Sequence, residues 1–291
     1  MNEIAGQVLF SLTLGAVLAT WWICARKLRR GEPLVPYEPH ERAPWSGWDV
    51  LACIGLFVLS IALVRAVFRQ LYGIDINLDP GDDPEGISLY LIGNGIFELL
   101  AVGLALSFLM VSSKADSIEL GLDTRFIVRD IVLGIGTFLA TAPLVFAILA
   151  LVSYLKPYHH PLLDMLEQRT GLRLLTLMTW LTVFVAPLFE EFFCRVLLQG
   201  WLEARERALL GSIGIRLPRG LVPILITSEL FALLHVGQGL GPIPLFVLAL
   251  FLGYLYRQTH RIWPSLVLHM SLNAFSMTQV WITILTGGEL S

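Results

Sequence analysis

Leu174-Leu-Thr-Leu-Met-Thr-Trp-Leu-Thr-Val-Phe-Val-Ala186-Pro-Leu-Phe-Glu190-Glu191-Phe-Phe-Cys-Arg195-Val-Leu-Leu-Gln-Gly-Trp-Leu202 is long and apolar enough to cross a bilayer, yet it carries three charges. Inside lipid only a helix or a closed barrel satisfies its own backbone, and a single stretch of this length is a helix. Each charge at that depth costs about 2.5–3.5 kcal/mol on insertion scales. Glu190, Glu191 and Arg195 therefore need internal partners, an internal task, or both.

The rest of the chain has the same character. Of 291 residues, 56% are hydrophobic and 15% charged, and the mean hydropathy is +0.72. That balance belongs to a polytopic membrane protein. About eight apolar segments qualify as spans, near 5–25, 48–67, 88–111, 131–155, 174–202, 221–235, 243–256 and 262–285. The sixth and seventh are short for a crossing. The expectation is an all-α transmembrane bundle forming a single membrane domain over residues 1–291. It is a multi-pass integral protein, of the inner membrane if the source is bacterial. Basic residues rather than a small-residue cleavage site follow the first segment, which is read as a span and not as a removed signal.

Charge is distributed unevenly. One set of loops holds Arg26, Lys27, Arg29, Arg30, Arg42, Lys114, Arg125, Arg129, Arg205, Arg207, Arg216, Arg219, Arg257 and Arg261. The opposite set holds Arg65, Arg69, Lys156, Arg169 and Arg173. The positive-inside rule then puts both termini outside. Trp21, Trp22, Trp45, Trp48, Trp201 and Trp263 fall near the inner ends of spans, where amphipathic rings prefer the interface. The acidic run from Asp75 to Glu85 lies outside and reads as solvated. The proline-bearing stretch 26–44 reads as an extended linker along the membrane surface, and 112–130 as an interfacial helix. Cys24, Cys53 and Cys194 all lie within spans and read as packing residues. Membrane lipids are the expected surroundings, and no nucleic-acid partner is expected. The oligomeric state is left open.

Three spans carry the polar groups. Glu191 and Arg195 are four residues apart and share a helix face, so they are read as an ion pair. Glu190 points about 100° away and is left free to face a cavity. Pro187, one turn earlier, is expected to free the Val183 carbonyl and kink the helix. His235 follows Phe231-Ala-Leu-Leu, and His269 and Asn273 share a face of the last span. Any of these groups alone can equally be structural glue between helices. His40, His159, His160 and His260 are read as bland. Glu98 and Glu229 add two further carboxylates within apolar segments.

The order Glu190-Glu191-x-x-x-Arg195, Phe231-x-x-x-His235, His269-x-x-x-Asn273, each within an apolar span, resembles the CAAX protease and bacteriocin-processing (CPBP) family of intramembrane proteases. The Trp263-Pro264 lead-in to His269 is also similar. The resemblance covers the C-terminal third, with a catalytic core over 174–277. The chain departs from the usual pattern at Val196, where the family often has glycine. What the resemblance implies is hydrolysis of a peptide bond within the membrane, in a membrane-associated or lipidated protein or peptide. Eukaryotic members remove the last three residues of prenylated proteins; other members serve in bacteriocin immunity or as scaffolds.

A mechanism can be written on these residues. Glu190 and His235 hold a water, with Glu190 its general base. His269 and Asn273 donate to the oxyanion, while Glu191 and Arg195 support the helix. No cofactor is favoured. The alternative is a zinc site with Glu190, His235 and His269 as His₂Glu ligands and an open water position. A non-catalytic scaffold or immunity-type protein, or a proton-coupled transporter using Glu98, Glu190 and Glu229, would use the same polar groups differently. Counted from the inner helix ends, Glu190 and His235 sit about 20 and 21 Å deep but His269 only about 10 Å. The three meet only if the last helix starts deeper or tilts.

Overall fold

The computed structural model describes residues 2–40, 43–73, 84–155, 171–212, 217–237 and 239–286. These form eight helices, with no strand among the described residues. They are α1 (Asn2–Arg29), α2 (Gly47–Tyr72), α3 (Pro84–Ser112), α4 (Ile127–Leu155), α5 (172–212), α6 (Leu221–Leu233), α7 (Pro242–Thr259) and α8 (Ile262–Thr286). Each apolar segment read from the sequence falls on one of them. Four stretches are long and apolar enough to cross a membrane, Gly47–Leu71, Gly86–Ser112, Ile127–Leu155 and Leu172–Glu206; Leu221–Leu233 is a shorter apolar helix. The protein is a membrane protein with an all-helical fold. The acidic run over 75–83 and the loop with Lys156, His159, His160 and Arg169 lie outside the described residues.

Local chemistry sets several helix ends. Ser46 and Asp49 form a reciprocal capping box at the start of α2, and Gly73 closes that helix at φ 67°. Pro242 opens α7, where its missing N–H costs nothing. α5 occupies the middle, touching α3, α6, α7 and α8, while α2 packs on α3 and α4 on α8. The α4–α8 contact depends on Gly134. A Cβ there would lie 2.7 Å from the Val267 Cβ and 2.8 Å from the Pro264 carbonyl, so any side chain would push the two helices apart.

At the basic end the expected surface linker is clasped onto the bundle. The Glu38 N–H donates to the Gln258 carbonyl at 2.8 Å, and the Glu38 carboxylate pairs with Arg261 and Arg129. Arg261 also forks onto Asp130 at 2.6 and 2.8 Å. Trp45 is not interfacial. It is fully buried, its indole donates to the Leu197 carbonyl at 3.0 Å, and its own carbonyl accepts from Arg205 at 2.7 Å. A large apolar ring with one donor is well placed in a core that supplies an acceptor.

The interfacial helix expected over 112–130 is absent, and the segment runs in turns up to Ile127. The Asp116 carboxylate accepts from the Ile118 and Glu119 N–H groups at 2.8 Å each, a side-chain competitor to helical bonding. Leu120 is then driven into the core. Between this segment, the strap and the α7–α8 turn lies a cavity of about 340 Å³, and Asp123 pairs with Arg125 on its wall.

The same end resolves the depth problem. His260, Arg261 and Ile262 are 9%, 5% and 1% exposed, so α8 starts beneath the strap rather than in the open. His269 thereby reaches the level of Glu190.

Candidate active site

α5 does not keep one winding. It is α-helical over Leu172–Trp180, π-helical over Leu181–Val185, α-helical over Ala186–Glu191, π-helical over Phe192–Gln199 and α-helical again over Gly200–Ser212. The two glutamates sit in the short α segment between the π turns, a placement common at functional sites. The Ala186 N–H reaches five residues back to Leu181. In that register the next partner pair would be residue 187 with Thr182, but Pro187 has no N–H. Asn273 fills the gap: its Nδ2 donates to the Thr182 carbonyl at 2.9 Å. The carbonyl taken up from outside the helix is thus Thr182, one residue before the expected Val183, because the helix is wound wider.

From there the side chains form one connected cluster. Glu191 Oε2 meets Arg195 Nε at 3.3 Å, both side chains fully buried. The other Glu191 oxygen meets His269 Nδ1 at 3.2 Å. His269 Nε2 faces Glu190 Oε2 at 3.5 Å, and His235 Nε2 faces Glu190 Oε1 at 3.7 Å. Both ring nitrogens of His269 therefore face carboxylate oxygens. His235 Nδ1 lies 2.8 Å from the Phe231 carbonyl. A carbonyl only accepts, so this nitrogen carries the hydrogen and Nε2 is the one left for Glu190. The structure brings Glu190, Glu191, Arg195, His235 and His269 together. Asn273 stands on the Thr182 side of the cluster with one of its two N–H bonds engaged.

Accessibility separates the members. Glu190 and His235 side chains are 23% and 18% exposed, while Glu191 and Arg195 are at zero. The edge open to a water or a substrate is thus Glu190 with His235. Phe231 is a wall shared by three of these groups. It is fully buried, its ring lies 4.8 Å from that of His235 and 5.7 Å from that of His269, and the Arg195 guanidinium covers it at 5.6 Å.

The remaining carboxylates differ. Glu98 lies on the seam of α3 with Leu91, Gly95, Val102 and Ala105, all buried, and interacts electrostatically with Glu190. Glu229 is exposed on α6 and points away. Val196 is fully buried in the core. Two polar residues were not anticipated. Thr227 accepts from Arg195 Nη1 at 3.3 Å, and Gln199 lies 3.4 Å from Thr227. A signal for Gln199 existed in the four-residue spacing of Glu191, Arg195, Gln199 and Glu203.

The zinc alternative needs Glu190, His235 and His269 to converge on one point. Each histidine faces a different oxygen of Glu190, with the carboxylate between the two rings. Among the described residues no group of three His, Cys, Asp or Glu side chains is set to hold a metal ion.

Residues 172–275 match the family described as type II CAAX prenyl endopeptidase Rce1-like. The resemblance read from the three motifs is therefore shown over this segment, which holds all of Glu190, Glu191, Arg195, His235, His269 and Asn273. No curated protein and no solved structure matches the chain.

Proposed function

We propose that the protein is an intramembrane endopeptidase that hydrolyses a peptide bond of a membrane-associated or lipidated protein or peptide. The observation that carries this reading is the Glu190 carboxylate, partly accessible and flanked by His235 and His269 in a region otherwise built for lipid. A water at the Glu190–His235 edge gives its proton to Glu190 as its oxygen attacks the carbonyl carbon. His269 and the free N–H of Asn273 are the donors for the oxyanion. When the C–N bond breaks, Glu190 returns the proton to the leaving amine. Glu191 and Arg195 hold the Glu190 turn of α5 and the ring of His269.

The test is cleavage by purified full-length protein of a farnesylated CAAX peptide and of its unlipidated counterpart. Wild-type protein is expected to release the C-terminal fragment, and folded Glu190→Ala to release none. A folded Glu190→Ala protein with wild-type turnover would end the glutamate mechanism. Wild-type protein that cleaves neither peptide would favour the non-catalytic scaffold.

A further inference from the structure

Arg195 is held by few atoms for a charge with no exposure. Its Nε meets Glu191, its Nη1 donates to Thr227 Oγ1 at 3.3 Å, and its face lies on Phe231. Its Nη2 has no hydrogen-bond partner among the described residues. Two polar contacts at opposite ends of the guanidinium define its plane. With one removed, the group can pivot about the other. Thr227 can hold this position because its hydroxyl also donates to the Pro223 carbonyl at 3.0 Å, one turn back in α6.

Gln199 extends the chain of contacts. It is fully buried, and its Nε2 donates to the Gly253 carbonyl at 2.8 Å and to Glu203 at 2.9 Å. Its Oε1 faces Thr227 Oγ1 at 3.4 Å. The winding of α5 makes the series possible. In an α-helix a residue four positions on has drifted about 40° around the axis. In the wider π turn, four residues fall short of a full turn, so the drift has the opposite sign. The π turns over 192–199 and the α turn that follows drift in opposite senses, so Glu191, Arg195, Gln199 and Glu203 stay near one face.

We infer that Thr227 on α6 and Gln199 on α5 are positioning residues for the Glu190 site, acting through Arg195, Glu191 and His269. Thr227 sets the plane of the guanidinium; the guanidinium sets Glu191 Oε2; and Glu191 Oε1 sets the His269 ring whose Nε2 faces Glu190. Gln199, bonded to the Gly253 carbonyl and packed beside Thr227 at 3.4 Å, sets this part of α6 against the α7 backbone. Their place in catalysis rests on the protease reading. Their effect on His269 does not.

The experiment uses full-length protein in detergent, labelled with ¹⁵N-histidine, with the His269 signals assigned by loss in His269→Gln. Thr227→Val keeps the shape and removes the hydroxyl; Thr227→Ser restores it. Thr227→Val is expected to shift the His269 imidazole resonances and to lower kcat about tenfold with KM unchanged, as suits a lost hydrogen bond to a charged group. Thr227→Ser is expected to return both to wild type, and Gln199→Leu to give a smaller shift in the same direction. Should Thr227→Val fail to fold, Thr227→Cys, a weaker acceptor, is read the same way. His269 resonances that are identical in the folded variant and the wild type would overturn the inference. Wild-type protein that cleaves nothing would sink the protease reading alone, because the histidine resonances decide the positioning claim by themselves.

Discussion

Two clusters of charge lie at different levels of this bundle, and they are built differently. At the basic end Arg261 binds Asp130 at 2.6 and 2.8 Å and Glu38 besides. Around Glu190 the contacts are 3.5 and 3.7 Å. The first cluster ties the strap, α4 and α8 into one piece with no carboxylate left over. The second leaves one carboxylate between two rings, close to both and strongly bound to neither. A charge that is fully partnered holds structure together. One kept loosely partnered, at an accessible edge, is available to take a proton.

The comparison can be broken by exchanging what each cluster is asked to do. The largest effect is expected at His269, which touches both glutamates: His269→Gln should lower turnover by about 10²–10³, as for loss of a preorganised donor, while the protein stays folded. Wild-type turnover in that variant would move His269 out of the chemistry. Asp130→Ala should act on stability instead. It leaves the buried Arg261 with Glu38 as its carboxylate partner and removes two hydrogen bonds to a charged group, about 1.5–3 kcal/mol each at most, read as a lower denaturation midpoint in detergent. Whatever remains folded should cleave normally; a selective loss of turnover would erase the distinction between the clusters.

A smaller effect concerns His40, stacked on His260 at 5.0 Å. Burial, helped by His260 and Arg261 and opposed by Asp116 and Glu203, lowers its pKa from 6.5 to about 4. The unfolded chain thus takes up a proton as pH falls below 6.5, whereas the folded protein does so only near 4. Stability should therefore fall with decreasing pH across that window. His40→Phe should flatten the dependence, measured as denaturation midpoints between the two values; an unchanged slope would assign it to other groups. The smallest expected effect is none at all: strong chelation should leave cleavage unchanged, and elemental analysis should find no stoichiometric zinc. One zinc per chain that tracks with activity would mean that His235, His269 and Glu190 are its ligands and that the metal-free mechanism is wrong.

Some of this was legible in the sequence. The helical class and the helix positions follow from apolar length, and the Glu191–Arg195 pair from spacing within one helix. The bond from His269 to Glu191 joins residues 78 positions apart, and periodicity carries no information about distances between helices. Pro187 was read under α-helical rules, so the wider winding and the Asn273 contact were missed. His260, dismissed as bland, lies 3.1 Å from Glu203 and beneath His40. The prolines of the strap spoke for extended chain but not for where it docks. Trp45 was assigned by residue type to an interface, when a buried acceptor on α5 was waiting for its N–H.

The strap also says something about the order of biosynthesis. Trp45 closes on a carbonyl 152 residues later, and Glu38 on an arginine 223 residues later. A ribosome delivers the strap early, Arg129 and Leu197 in mid-synthesis, and Arg261 late. Until residue 261 has been made, Glu38 has no Arg261 to bind, and the strap is not yet tied to the α7–α8 turn. The last ties of the strap therefore form only near the end of synthesis, and a nascent chain stalled before residue 261 is expected to leave the strap more open to proteolysis than the full chain does.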